Sequence, residues 1–211
     1  MFQPRYFKQD SQQQMLAFIE NHTLATIVSL SSQGLVGNHI PMIIIEKDRK
    51  YFLQGHVARA NKMWQDSDEN TDVLAIFNGP NAYISPNWYP SKKRDGKAVP
   101  TWNYVAVHVS GQMKSFQDKD WLLKHLGHLS NFNEKNRRKP WNLADAPLGY
   151  IDKMLNAIVG IEIEIKELSG NTKMSQNHSS ENRLGVIKSL INQGKKDVAS
   201  WVENPNPHTE R

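Results

Sequence analysis

The polar chemistry of this 211-residue chain concentrates in residues 55–64, GHVARANKMW, where a strand-like run (KYFLQ) gives way to a helical pattern. A strand-to-helix junction leaves backbone N–H groups without intrahelical acceptors, and the helix end carries partial positive charge, so an anion placed there meets donors. Arg59 adds a planar fork that matches phosphate oxygens, and Lys62 adds a mobile cation. Asn61 can cap the helix or donate to a ligand, while the small Ala58 and Ala60 allow close backbone approach. The same residues also suit a solvated helix start with His56 filling a strand position. A second cluster lies in residues 85–104, where Trp88, Tyr89 and Trp102 interleave with Lys92, Lys93, Arg94 and Lys97. Aromatic and cationic groups in that mixture can stack on a planar ring while holding a phosphate. The alternative is a surface flap pinned by its aromatics, with solvated charges.

Other chemistries lack their signatures. His125 and His128 stand three apart near Asp118 and Asp120, but no HExxH pattern and no third histidine at ligand spacing accompany them. They read as exposed or half-exposed helix residues, and no metal site is expected. No GxSxG elbow, GxGxxG turn or Walker loop is present, which argues against a serine hydrolase and against the common dinucleotide and ATP-driven folds. The chain has no cysteine, so thiolate chemistry and disulfides are excluded. That composition fits a reducing compartment and sets a cytoplasmic expectation. No apolar run approaches the ~20 residues of a membrane span. A net charge of +5 favours anionic partners in general.

The elements that must position these residues are mainly strands. Period-2 segments TLATIVSL, LVGNHIPMIIIE, KYFLQGH, DVLAIFNG and WNYVAVHVSGQMKSF are separated by SSQG, KDRK and DSDENT. In AIVGIEIEIKEL, Val159, Ile161, Ile163 and Ile165 alternate with Gly160, Glu162, Glu164 and Lys166, predicting one dry and one wet face. A six- or seven-strand antiparallel sheet or barrel with peripheral helices follows. Helices are predicted over 11–20 (Met15, Phe18 and Ile19 inward), 61–67, 118–130 (Trp121, Leu122, Leu126 and Leu129 on one side) and 145–157, the last with Asp145 as N-cap and Pro147 in its first turn. Residues 169–180 read as a polar loop and the tail NPNPHTER as frayed. Between them, RLGVIKSLINQGKKDVASWVE reads as helix, Gly194 stop, helix, with Leu184, Ile187, Leu190 and Ile191 and then Val198, Trp201 and Val202 apolar. With Arg183, Lys188, Lys195 and Lys196 this pair has the outline of a helix-turn-helix, and equally of any packed helical hairpin. The expected organisation is one domain over 1–168, with loop, hairpin and tail over 169–211 appended to it.

Taken together, NHIPMII, GHVARANKMW, GPNAYISPNWYPSK, GKAVPTWNYVAVHVSG, AIVGIEIEI and KMSQN resemble the PaiB family, the FMN-binding negative transcriptional regulators of bacteria, from the N-terminus to about residue 190. The resemblance implies an FMN-binding split β-barrel, generally a homodimer with FMN at the subunit interface. It implies that Arg59 and Lys62 hold the phosphate with help from Asn61, around Ala58 and beside His56. Asn38, His39, Ile40 and Pro41 would line the isoalloxazine and ribityl chain. Trp102, Asn103 and Tyr104, then Ser110 and Gln112, would approach from other strands or from the second subunit. Lys173 and Gln176, of KMSQN, are placed near the site by analogy. The chain departs from the wider group in carrying Ala58 where a serine or threonine usually stands, so a backbone N–H would have to replace that hydroxyl. Three functions remain open: a regulator that represses transcription with or without direct DNA contact; an FMN-dependent oxidoreductase of the flavin reductase or pyridoxamine-phosphate oxidase kind, in which His39, His56 or His108 would supply protons; and a small-molecule sensor or binding protein with the flavin site empty. No residue is assigned as catalytic on the first reading.

Overall fold

A computed structural model describes residues 1–32, 34–66 and 72–205. The expectations for Gln33 in SSQG, for most of DSDENT, for the end of the 61–67 helix and for the last six residues of the tail lie outside them. Eight strands form one sheet: β1 (Lys8–Gln9), β2 (Leu24–Ser31), β3 (Gly34–Pro41), β4 (Ile43–Lys47), β5 (Lys50–Ala58), β6 (Val73–Ile84), β7 (Thr101–Phe116) and β8 (Ile158–Lys173). Their order is β3-β2-β6-β7-β8-β5-β4, with β1 on β8, and the path does not close on itself. The helices are α1 (Gln12–Asn21), α2 (Met63–Asp66), α3 (Lys92–Asp95), α4 (Lys119–Glu134), α5 (Tyr150–Leu155), α6 (Ser180–Asn192) and α7 (Lys196–Glu203).

The chain divides into two compact units. The second unit, Thr23–Ile76 and Val109–Glu167, carries the Arg59 segment. Its hairpins follow from turn chemistry. Asp48 and Arg49 both adopt positive φ in the two-residue turn between β4 and β5, where such backbones match strand twist. Gly55 leaves room for the β3–β4 corner, since a Cβ there would lie 2.4 Å from Met42 Sδ and 2.9 Å from Pro41 O. The run LVGNHIPMIIIE is accordingly two strands, broken at Met42, whose N–H donates to Thr23 O.

In β8 the predicted wet face is covered for part of its length. Gly160 is buried under Trp121 of α4, and Glu162 is buried with its carboxylate taking bonds from Lys47 Nζ and Gln54 Nε2, both at 2.6 Å. Burial of the carboxylate is tolerable because both donors satisfy it. His125, expected on an exposed helix face, is 1% exposed, and the buried residues of α4 are Leu122 and His125. The expected helix over 145–157 begins only at Tyr150, after Gly149 at φ 71. Asp145 instead closes a capping box with Asn142 on the short turn Leu143–Asp145, because Pro147 steers the residue before it away from helical backbone.

The first unit, Met1–His22, Phe77–His108 and Leu168–Arg211, packs α1, α6 and α7 around its own core. Met15, Phe18 and Ile19 are buried as their spacing predicts. β6 continues through Gly79 and Pro80 to Ile84, beyond the predicted stop, since Gly79 brings the strand against the Phe18 ring, 2.8 Å from any added Cβ. β8 likewise runs on through residues 169–173, which were expected in a loop. Helix, Gly194 stop (φ 75) and helix form as predicted, but α6 buries Asn182, Val186 and Leu190, leaving Leu184 and Ile191 exposed. Gly185 seats α6 on the Trp88 carbonyl, which fixes that rotation. Arg183 caps α7 by donating to Val202 O, so it is not a free basic group. No helix among the described residues is long and apolar enough to cross a membrane.

Candidate functional site

In the second unit, β5 ends at Ala58 and the chain turns at once, with Asn61 N–H donating to Ala58 O. Arg59 is bound on both sides of its backbone: its N–H donates to Ala157 O at 2.8 Å and its carbonyl accepts from Trp64 Nε1 at 3.0 Å. Its guanidinium donates from Nε to Asn156 O (2.7 Å), from Nη1 to Gln117 Oε1 (2.6 Å) and from Nη2 to Ile158 O (3.1 Å). These bonds use three of the five guanidinium donors, and they hold the fork in one plane. The Arg59 N–H is spent on Ala157 and cannot stand in for the hydroxyl that Ala58 lacks.

Asn61 both caps and bridges. Its Oδ1 accepts from Met63 N at 3.0 Å, opening α2, and its Nδ2 donates to Asn38 Oδ1 at 2.7 Å. That leaves Asn38 Nδ2 buried with no acceptor. A buried amide donor without a partner costs about 1–3 kcal/mol, and a ligand oxygen would recover it. Lys62 is exposed beside this pair. Described α2 is one turn long, so side chains rather than a helix dipole must supply the anion's partners.

The rest of the expected set is dispersed. His39 Nδ1 is 3.0 Å from Thr26 Oγ1, Ile40 is buried and Pro41 exposed at the strand end. Ser110 and Gln112 are half-buried on β7 of the same unit. His56 turns to α4: its Nδ1 is 3.1 Å from His125 Nε2, and Trp121 stacks on His125. Burial lowers the His56 pKa, and burial first, then the charges of His56 and His128, lowers that of His125 to about 3. Both rings are therefore neutral at pH 7.

In the first unit, Trp102 stands half-exposed, edge-on to Tyr83 at 6.2 Å, over a cleft lined by Asn78, Gly79, Asn81, Tyr104 and Val105. Flat aromatic walls and amides in one cleft suit a planar heteroaromatic ring. Asn103 is buried, exchanging bonds with Ser175 Oγ, and Tyr104 Oη accepts from Asn171 Nδ2 at 2.7 Å. Lys173 Nζ donates to Thr101 Oγ1, while Gln176 closes a turn by accepting from Met174 N and donating to Thr172 O. The loop over 85–104 is ordered by its aromatics: Tyr89 is buried and stacked on His178 at 4.8 Å, and Arg94 pairs with Glu181. Its flap reading fits these contacts. Sequence reasoning missed Gln117, Asn78 and Asn81, and only the PNAY stretch within a longer motif pointed toward the last of them. Among the described residues, no group of three or more His, Cys, Asp or Glu is arranged to hold a metal ion.

Residues 1–167 match a family model described as "Putative FMN-binding domain". The chain is 33% identical to the Protease synthase and sporulation protein PAI 2 of Bacillus subtilis (strain 168), across 98% of this chain and 92% of that protein. It is 35% identical to the uncharacterized protein AN0679 of Emericella nidulans, across 72% of this chain and 70% of that one. Among solved structures, the flavocytochrome Anf3 from Azotobacter vinelandii aligns with TM-score 0.57 at 13% identity, over 80% of this chain and 71% of that chain. The FAD and heme binding protein from Mycobacterium smegmatis aligns with TM-score 0.59 at 12% identity, over 79% and 73%. At such identities the likeness is one of fold: a mainly β split barrel of the flavin-binding kind.

Proposed function

We propose, starting from the fact that this chain belongs to the FMN-binding domain family, that it is a homodimeric, FMN-loaded regulator of the PaiB type that lowers transcription of its targets. The observation that carries the cofactor reading is the donor set around Arg59. Two unused guanidinium donors on Arg59, the exposed Lys62 ammonium and the orphaned Asn38 Nδ2 beside Asn61 are the kinds of donor that a phosphate dianion takes. FMN would be held there by its phosphate. When bound, the flavin supplies one- and two-electron redox chemistry.

The chain's own residues favour holding over catalysis. His56, the histidine nearest Arg59 in sequence, and its partner His125 are neutral and turned toward each other, so neither is poised to deliver a proton to a ligand. The full-length likeness to PAI 2, a protein named for protease synthesis and sporulation, supports a role in expression control. Pairing with a second copy is supported by Leu30, Leu35 and Val36, which expose apolar surface at one end of the β2–β3 hairpin.

The test is a gel shift with the chain's own upstream DNA and a scrambled fragment, with and without FMN, over rising salt. The expected result is a preference for the upstream fragment that survives at salt where the scrambled one is released. Equal binding to both fragments throughout, with rapid bleaching of bound FMN by NADH or NADPH in stopped flow, would make the protein an oxidoreductase instead.

A further inference from the structure

The first unit contains a cleft of about 340 Å³ that none of the above uses. Its walls come from the segments around Tyr89, Lys97–Thr101, Asn103 and Lys173–His178, with Asn182 from the first turn of α6. Two lysines, Lys97 and Lys173, line it, and no acidic residue among the described ones does. The nearby carboxylate of Glu181 is already paired with Arg94 through two bonds, at 2.9 and 3.1 Å. Lys173 Nζ spends one donor on Thr101 Oγ1, and an ammonium has three.

The polar groups of the wall are fixed in place. Asn103, Ser175 and Asn182 are buried; Asn103 and Ser175 bond each other, and Asn182 exchanges two bonds with Ser91. Ser175 is held at φ 61, a left-handed backbone that a non-glycine residue adopts at a cost of about 1–2 kcal/mol and that clusters at ligand sites. His178 stacks on Tyr89, and its pKa is lowered by burial first and then by the Lys173 charge, so its ring is a neutral hydrogen-bonding wall. α6 starts two residues after His178, and the positive end of this 13-residue helix adds to the same sign of field.

We propose that this cleft binds a small anionic effector, a ligand with one carboxylate or phosphate group beside hydroxyl or amide functions, with Lys97 and Lys173 on the acid group and the Asn103, Ser175 and Asn177 wall on the rest. This reassigns Asn103 and Lys173 from the cofactor to a second ligand, and it deepens the regulatory reading on which it rests by supplying the signal. A cleft of this size suits a metabolite-sized molecule.

The test is an amide NMR titration of the flavin-free full chain at fixed ionic strength, with inorganic phosphate in one arm and succinate in the other. Saturable shifts at Ser175, Asn177 and His178 are expected with at least one probe, and the arm that saturates names the acid group. Lys173→Met should weaken that binding by roughly tenfold, the scale of one charge-assisted hydrogen bond, and Lys97→Met, at an exposed ammonium, by a few-fold. Lys97 is exposed, so its variant keeps the fold and should retain added FMN after desalting as wild type does. No saturable shift with either probe, unchanged affinity in both variants, or loss of FMN retention in Lys97→Met would each overturn the proposal. Because the titration needs no flavin, its result is independent of whether the Arg59 segment binds FMN.

Discussion

The Arg59 segment and the Lys97–Lys173 cleft both present cations to an anion, yet they are built on opposite terms. Arg59 is tied through backbone and side chain to Ala157, Asn156, Ile158, Gln117 and Trp64, so its charge is part of the framework of its unit. Lys97 is an exposed point charge, and Lys173 is a half-buried one bonded to Thr101 Oγ1, at a wall whose rigidity lies in amides and hydroxyls. A framework charge suits a resident cofactor, because little order is lost when the ligand arrives. Lysines outside such a clamp suit a ligand that comes and goes, since binding must fix their rotamers at about 0.5–1.5 kcal/mol each.

The largest expected effect comes from acid, and it strikes the Arg59 unit. The unfolded chain takes up a proton at His125 near pH 6.5, whereas the folded chain resists it down to about pH 3. Stability from this group is therefore complete above pH 6.5 and is lost as pH falls toward 3, by ~3 kcal/mol at pH 4. Urea unfolding at pH 7, 5.5 and 4 should show that slope, and His125→Phe should flatten it. An unchanged slope in the variant would place the acid sensitivity elsewhere.

Next in size is the clamp itself. Arg59→Ala should destabilise the flavin-free protein by ~2 kcal/mol, through lost charge-assisted bonds to the Asn156 and Ile158 carbonyls. Arg59→Lys restores the charge but not the fork, so thermal melting should leave most of that deficit in place. Full recovery with lysine would erase the contrast between the framework charge and the cleft lysines.

Asn38→Ala weighs on binding more than on folding. It removes a donor that lacks an acceptor together with the Oδ1 that accepts from Asn61 Nδ2, so flavin-free stability should fall by about 1 kcal/mol, while FMN affinity by fluorescence quenching falls about tenfold. The smallest effect belongs to Lys62→Met. An exposed ammonium contributes about 0.2–1 kcal/mol, so FMN affinity should drop only a few-fold, and less at high salt.

Much of this was legible in the sequence where local chemistry decides. Strand alternation, Gly194 as a stop and Asn61 as a cap all follow from short-range rules. Tertiary contacts were not legible. Glu162 and Gly160 read as solvent-facing because the residues that cover them, Lys47, Gln54 and Trp121, are distant in sequence. His125 read as exposed for the same reason, its partner being His56 on a strand. In the candidate site the sequence marked Arg59 and Asn61, but not that Gln117 and two carbonyls orient the arginine, nor that Asn38 keeps a spare donor. Carbonyl acceptors have no residue-type signature, so no motif could announce them.

The central claim is that Arg59 and its neighbours hold the phosphate of FMN. The direct measurement is the absorption spectrum of the purified protein after FMN is added and free ligand removed by desalting, with Arg59→Ala run in parallel at a temperature where it stays folded. The account predicts flavin bands retained by the wild type and lost from the variant. A wild type that emerges without flavin, or a variant that retains as much as the wild type, would contradict it.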